Sequence, residues 1–210
     1  MTDQSGVLNS LERWSPSAFL IGGLLLAVDA AWLAANLSIG GENYLLTGQL
    51  FVGVGWTVAL LGLLGIYPSL SNQSRWLSRI GAICAAIGVV TFAVMAILVF
   101  VDISGILAGA YEPVGAFFIP GVLIGSVVGF VLFSVVSFRT QGQPVAFGVL
   151  LLIPPVLVVS NLLRFFAGYT SEMLTLGIVI ADALALLMIG YYLRSQPITA
   201  GQREATQSPA

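Results

Sequence analysis

The sequence predicts an all-α polytopic membrane bundle of about six transmembrane helices. Three observations carry this. Of 210 residues, 58% are hydrophobic and 8% are charged, against about a quarter charged in an ordinary soluble domain. Six apolar runs each reach about 20 residues, enough helix to cross about 30 Å of hydrocarbon. The short connections between them hold most of the charge, and the arginines fall on alternate sides. The runs are apolar all round rather than striped, as lipid-facing helices are.

The first run, residues 16–37, follows a polar segment, 1–15, that ends in Arg13-Trp14. Its face bearing Ala27, Ala30, Ala31 and Ala34 reads as turned toward the bundle. Val28-Asp29-Ala30 loosely resembles a signal-peptidase site, but the acidic leading segment and the apolar residues beyond Asp29 favour a retained span. The second run, 49–67, ends at Tyr67. Arg75-Trp76 and Arg79 precede the third, 80–101, which contains the single Cys84. A lone cysteine in an apolar run reads as a packing residue. The fourth run, 114–138, carries Gly121, Gly125 and Gly129 on one helix face. Such a small-xxx-small ladder lets another backbone approach closely, within the bundle or in a homo-oligomer. Gly81/Ala85 and Gly177/Ala181 repeat the spacing. The fifth run, 145–166, is interrupted by Pro154-Pro155. The sixth, 174–193, contains Asp182, and Arg194 and a polar tail expected to be disordered, 195–210, follow it.

With six crossings, Arg13, Arg75, Arg79, Arg139, Arg194 and Arg203 share one side, and Arg164 alone lies on the other. The opposite loops hold Glu42, Asp102, Glu112 and Glu172 as a polar rim. The positive-inside rule then makes both termini cytoplasmic, in a cell-membrane protein. The spans also read as three parallel hairpins, 1–2, 3–4 and 5–6, because Arg-Trp precedes spans 1 and 3 and each far loop holds Gly, Tyr and Glu. Interface preferences alone can place those residues. Trp14, Trp76, Tyr67, Tyr111 and Tyr169 stand where an aromatic belt would.

Composition excludes much chemistry. There is no Lys for a Schiff base and no His for haem or imidazole-bound zinc, so no cofactor or metal is expected. Serine and threonine lack a base to activate them, and neither aspartate sits in a protease signature; no enzyme is expected. A net charge of −2 with no basic patch speaks against nucleic acid. The expected partner is the lipid bilayer, with a homo-oligomer or larger membrane complex as the protein partner.

Two carboxylates remain. Asp29 and Asp182 lie about 18 Å and 15 Å along their helices, near mid-bilayer. An unpaired charge at that depth costs at least about 2.5–3.5 kcal/mol. Asn36 is seven residues beyond Asp29 on the same face. Pro154 and Pro155 remove amide hydrogens from the carbonyls of Leu150 and Leu151, and Ser160 and Asn161 follow. Carboxylates and a broken helix at one depth are ingredients of an ion or proton site. The plainer account has both acids hydrogen-bonded to neighbouring helices and the prolines only bending span 5. Two functions follow: a non-catalytic scaffold or accessory subunit packing through its glycine faces, or a small ion, proton or solute transporter centred on Asp29 and Asp182.

Overall fold

The computed structural model describes residues 4–39, 44–71, 74–107, 109, 112–140, 144–169 and 171–195. The tail from 196 and Glu42 of the expected rim lie outside these, as does the side chain of Glu112. Among the described residues the chain is helical with no strand, and six helices are long and apolar enough to cross a membrane. This is a multi-pass helical bundle, as composition and hydropathy predict.

We number the spans α1 (Gln4–Ile39), α2 (Tyr44–Ser71), α3 (Arg75–Ile103), α4 (Gly115–Arg139), α5 (Val145–Phe166) and α6 (Glu172–Ser195). The helices outrun the apolar segments, and α1 takes residues 4–15 of the N-terminal segment into the same helix as the first span. Each helix packs against its neighbours in sequence, and α6 returns to α1, so the six form a closed ring. The ring has a terminal end, where α1 begins and α6 ends, and a hairpin end at the α1–α2, α3–α4 and α5–α6 connections.

Little hydrophobic force pulls helices together in lipid; close van der Waals contact does that work, and it needs small residues. The contacts follow. Gly22 of α1 lies against Gly55 and Ala59 of α2, and Gly53 of α2 against Ala96 of α3. The ladder of α4 is used within the chain: Gly121 faces Thr91, Gly125 faces Gly88 and Gly129 faces Ala85, all on α3. On α6, Gly190 meets Pro16 and Leu20 of α1, and Gly23 of α1 meets Ala183 and Leu187. Buried serines add bonds between helices: Ser15 Oγ donates to the Gly62 carbonyl, and Ser134 Oγ to that of Gly148, each at 2.7 Å.

Aromatic rings fill the ring's centre. Trp56 stacks on Phe92 at 5.7 Å and meets the edge of Phe130 at 5.9 Å; Phe130 in turn meets Phe19 edge-on at 6.4 Å. These four residues tie α1, α2, α3 and α4 together. Phe147 and Tyr192, stacked at 5.0 Å, join α5 to α6.

One span is irregular. α4 is composite, running from a 3-10 lead-in (Glu112–Phe118) through Ile119–Val122 and a π segment (Leu123–Val128) into Gly129–Arg139. That distinguishes it from α2 and α6, its counterparts in a three-hairpin repeat. By contrast, α5 runs as one helix through Pro154-Pro155, where the sequence suggested a break. Both prolines are buried, and packed membrane helices tolerate prolines that would break a soluble one.

Gly125→Leu should lower stability by about 1–3 kcal/mol, since its side chain would drive into the α3 backbone at Gly88. Gly177→Leu, with open space around its Cβ, should melt with the wild type. Thermal unfolding of both variants in one detergent makes the comparison.

Candidate functional site

Three polar side chains enter the bundle at one depth. α1 and α2 run antiparallel in a fixed register: Ser15 pairs with Gly62, Gly22 with Gly55 and Asp29 with Gly48. Asp29 is 5% exposed and lies over Gly48, where a Cβ would stand 2.7 Å from its Oδ1. The glycine makes the room that the carboxyl occupies. Gln49, the next residue, is therefore level with Asp29.

On the other side of α1, the contacts of Gly190 with Leu20 and of Gly23 with Ala183 set the register of α6. They bring Asp182 within about one turn of Asp29 in depth, at 1.5 Å per residue. Asp182 is 6% exposed, and Leu186 and Ile189, four and seven residues on, are fully buried. By helical spacing Asp182 shares their face, which points into the ring. Gln49 is also inward-facing, because Trp56, seven residues on, is part of the core.

The two aspartates thus share a depth but not a face. Asp29 is seated in the α1–α2 contact, whereas Asp182 looks into the bundle. The Oδ1 of Asp182 and the Oε1 of Gln49 are both buried without a hydrogen-bond partner. These two inward acceptors with no donor lie at one depth on α2 and α6, two helices that the ring does not pack directly against each other. Gln49 is not among the residues that the sequence singled out beside Asp29, Asp182, Asn36, Asn161 and the Pro154-Pro155 pair. Its signal was an amide seven and fourteen residues before Trp56 and Leu63, on one helix face.

The other candidates scatter. Asn36 turns back on its own helix, donating Nδ2 to the Trp32 carbonyl at 2.7 Å. Asn161 is exposed on α5, Leu151 is fully buried in the core, and Leu150 packs beside it. Pro154 and Pro155 are buried within α5. At the hairpin end, Asp102 Oδ1 accepts from the Gly109 amide at 2.8 Å, and Glu172 opens α6. Arg164 donates Nη2 to the Ser171 carbonyl at 3.0 Å. Cys84 is buried in α3.

A groove of about 290 Å³ runs between α1 and α6, but neither aspartate lines it. Ala27, Ala30, Ala31 and Ala34 form one wall, and Leu184 and Leu187 belong to the other. No group of three or more His, Cys, Asp or Glu gathers among the described residues. The chemistry on offer is that of a carboxyl and an amide oxygen inside apolar packing: both accept a hydrogen bond, and the carboxyl can also take a proton.

Leaving a buried acceptor unsatisfied costs about 1–3 kcal/mol. Asp182→Ala removes that cost, so its melting midpoint should equal or exceed that of the wild type. A midpoint several degrees lower would assign Asp182 to structural support.

No protein family, curated protein or solved structure matches the chain.

Proposed function

We propose that the chain is a small, non-catalytic membrane carrier for protons or a small cation, with Asp182 as its ionisable centre. The observation that carries this is the unpartnered carboxyl of Asp182, held beside the core and level with the equally unpartnered amide oxygen of Gln49. A side chain placed there for support alone would be expected to find a donor, since buried polar groups nearly always do. A hydrated proton or a small cation supplies what such a buried acceptor lacks. Asp29, at the same depth against α2, is the second acid on such a route. Intramembrane acids typically mark ion and proton pathways.

Orientation in the cell membrane follows the arginines. Arg13, Arg75, Arg79, Arg139 and Arg194 are all exposed at the terminal end, which supports placing both termini in the cytoplasm.

A second reading is a non-catalytic scaffold or accessory subunit, in a homo-oligomer or a larger membrane complex. The glycine ladder of α4 is occupied by α3, so it offers no free face for this. The alanine wall of the α1–α6 groove is the observation that favours it, because small residues admit a neighbouring helix.

Proteoliposomes holding a pH-sensitive dye separate the two. Under an imposed proton or cation gradient, wild-type protein should dissipate the gradient, and Asp182→Asn should slow it at least about tenfold, with a smaller effect from Asp29→Asn. If both variants fold and leave every measured flux at the wild-type rate, the carrier reading fails. The scaffold reading requires instead that Ala31→Leu strip a co-purifying partner or dissolve an oligomer.

A further inference from the structure

The seam between α1 and α6 is tight at one end and open at the other. Toward the terminal end, the Gly23 backbone of α1 lies against α6: a Cβ there would stand 2.8 Å from Leu187 Cγ and 3.0 Å from the Ala183 carbonyl oxygen. The helices run antiparallel from that contact, so Ala27 is level with Ala183 and Ala34 with Leu176. Along this stretch α1 offers only methyl groups, and the seam does not close. The groove of about 290 Å³ is what remains, with the alanines of α1 opposite Leu176, Ile180, Leu184 and Leu187. Gly177 shares a helix face with Ile180 and Leu184, and nothing outside its own turn lies within 4 Å of its Cβ position. The groove is therefore shut by Gly23 at its inner end and open toward the hairpin end.

Its dimensions select an occupant. The alanine wall is about 10 Å long and the α6 wall about 16 Å, at 1.5 Å per residue. Spread over that length, 290 Å³ gives a cross-section of about 20–30 Å². A helix with its side chains is about 10–12 Å across and needs roughly 80 Å² or more. A second helix can thus lie over the groove but cannot enter it. A single hydrocarbon chain, whose carbons approach their neighbours at about 3.5–4.0 Å, fits the section. The groove also runs along the helices, the direction lipid chains take. Its open end lies about 6 Å from Glu172 at the start of α6, close to headgroup depth. No polar side chain lines it.

We propose that the α1–α6 groove seats one acyl chain of a phospholipid from the leaflet at the hairpin end, with the chain's methyl end toward Gly23. The groove continues the α1–α6 contact, so a chain in it completes packing that the alanines leave short, and an empty groove would forfeit those dispersion contacts. The site does not depend on Asp182 or on the carrier reading. It gives the alanine wall an occupant other than the helix that the scaffold reading requires.

The test uses full-length protein in dioleoyl-phosphatidylcholine vesicles doped with a phosphatidylcholine that carries a diazirine near one acyl terminus. After illumination, labelled residues are located by peptide mass spectrometry. The control surface is Ile97, Phe100 and Ile103, which are exposed on α3 at the same depth. Labelling of the groove walls should exceed that of this surface at least about threefold, the gain being one of dispersion contacts alone. Ala31→Phe, which fills the groove from an exposed position, should bring the walls down to the α3 level. Equal labelling of groove and α3 in the wild type, or undiminished wall labelling in a folded Ala31→Phe, overturns the proposal. So does an oligomer that Ala31→Phe dissolves while the wild-type walls stay unlabelled, which would assign the groove to a second copy. Should Ala31→Phe fail to fold, Ala34→Phe, one turn nearer the mouth, decides by the same criterion.

Discussion

Everything else in this bundle depends on helix backbones coming into close contact at glycines. In lipid the exterior of a helix is already solvated, so apolar surface alone sets neither which helices touch nor in what register. Gly22 against Gly55, and Gly88 against Gly125, set both. Once α1 and α2 are locked through Gly22, Gly55 and the Ser15 to Gly62 bond, the depth of every side chain on them is determined. Asp29 then has one place to go, and Gly48 is the residue that leaves it open.

The same register explains why the polar depth carries two different environments. Asp29 occupies a notch in a helix–helix contact, where its neighbour has no side chain to displace it. Asp182 shares a helix face with Leu186 and Ile189 of the core, and its Oδ1 meets no donor. A carboxyl in a contact notch can be read as packing. A carboxyl with a free acceptor facing the core opposes stability, and such costs are tolerated mainly where function needs them. The carrier reading therefore rests on Asp182 rather than on the pair.

The spans were legible in the sequence because a bilayer admits few solutions: about 20 apolar residues, with every backbone group paired internally. The arrangement of those spans was not. Helices apolar on all sides carry no stripe to say which face turns inward, so Asp29 and Asp182 read as equivalent although one faces α2 and the other the core. The ladder of Gly121, Gly125 and Gly129 announced a close contact but could not name α3 as its partner. Pro154-Pro155 misled for a physical reason. The penalty for proline inside a helix is learned from water, whereas α5 continues through both with its neighbours packed around it. Gln49 was missed because an amide at the edge of a hydrophobic run looks like a boundary, and only the register shows it level with Asp29.

The ring is also unequal from end to end, which constrains how a carrier built this way would work. Trp56, Phe92, Phe130 and Phe19 close the centre about 12–15 Å toward the terminal end from Asp29, counting from Gly48 to Trp56 along α2 and from Asp29 to Phe19 along α1 at about 1.5 Å per residue. A proton or cation at Asp182 has this aromatic plug on one side and the hairpin end on the other. Exchange with the terminal side requires the plug to part. Among its four helices, only α4 carries a π segment, Leu123–Val128, ending one residue before Gly129 and two before Phe130. π segments are rare and recur at functional sites. α4 is therefore the helix whose local repacking would move Phe130 away from Trp56 and Phe19. The α1–α2 contact, locked by glycines along its length, would stay in place while it did.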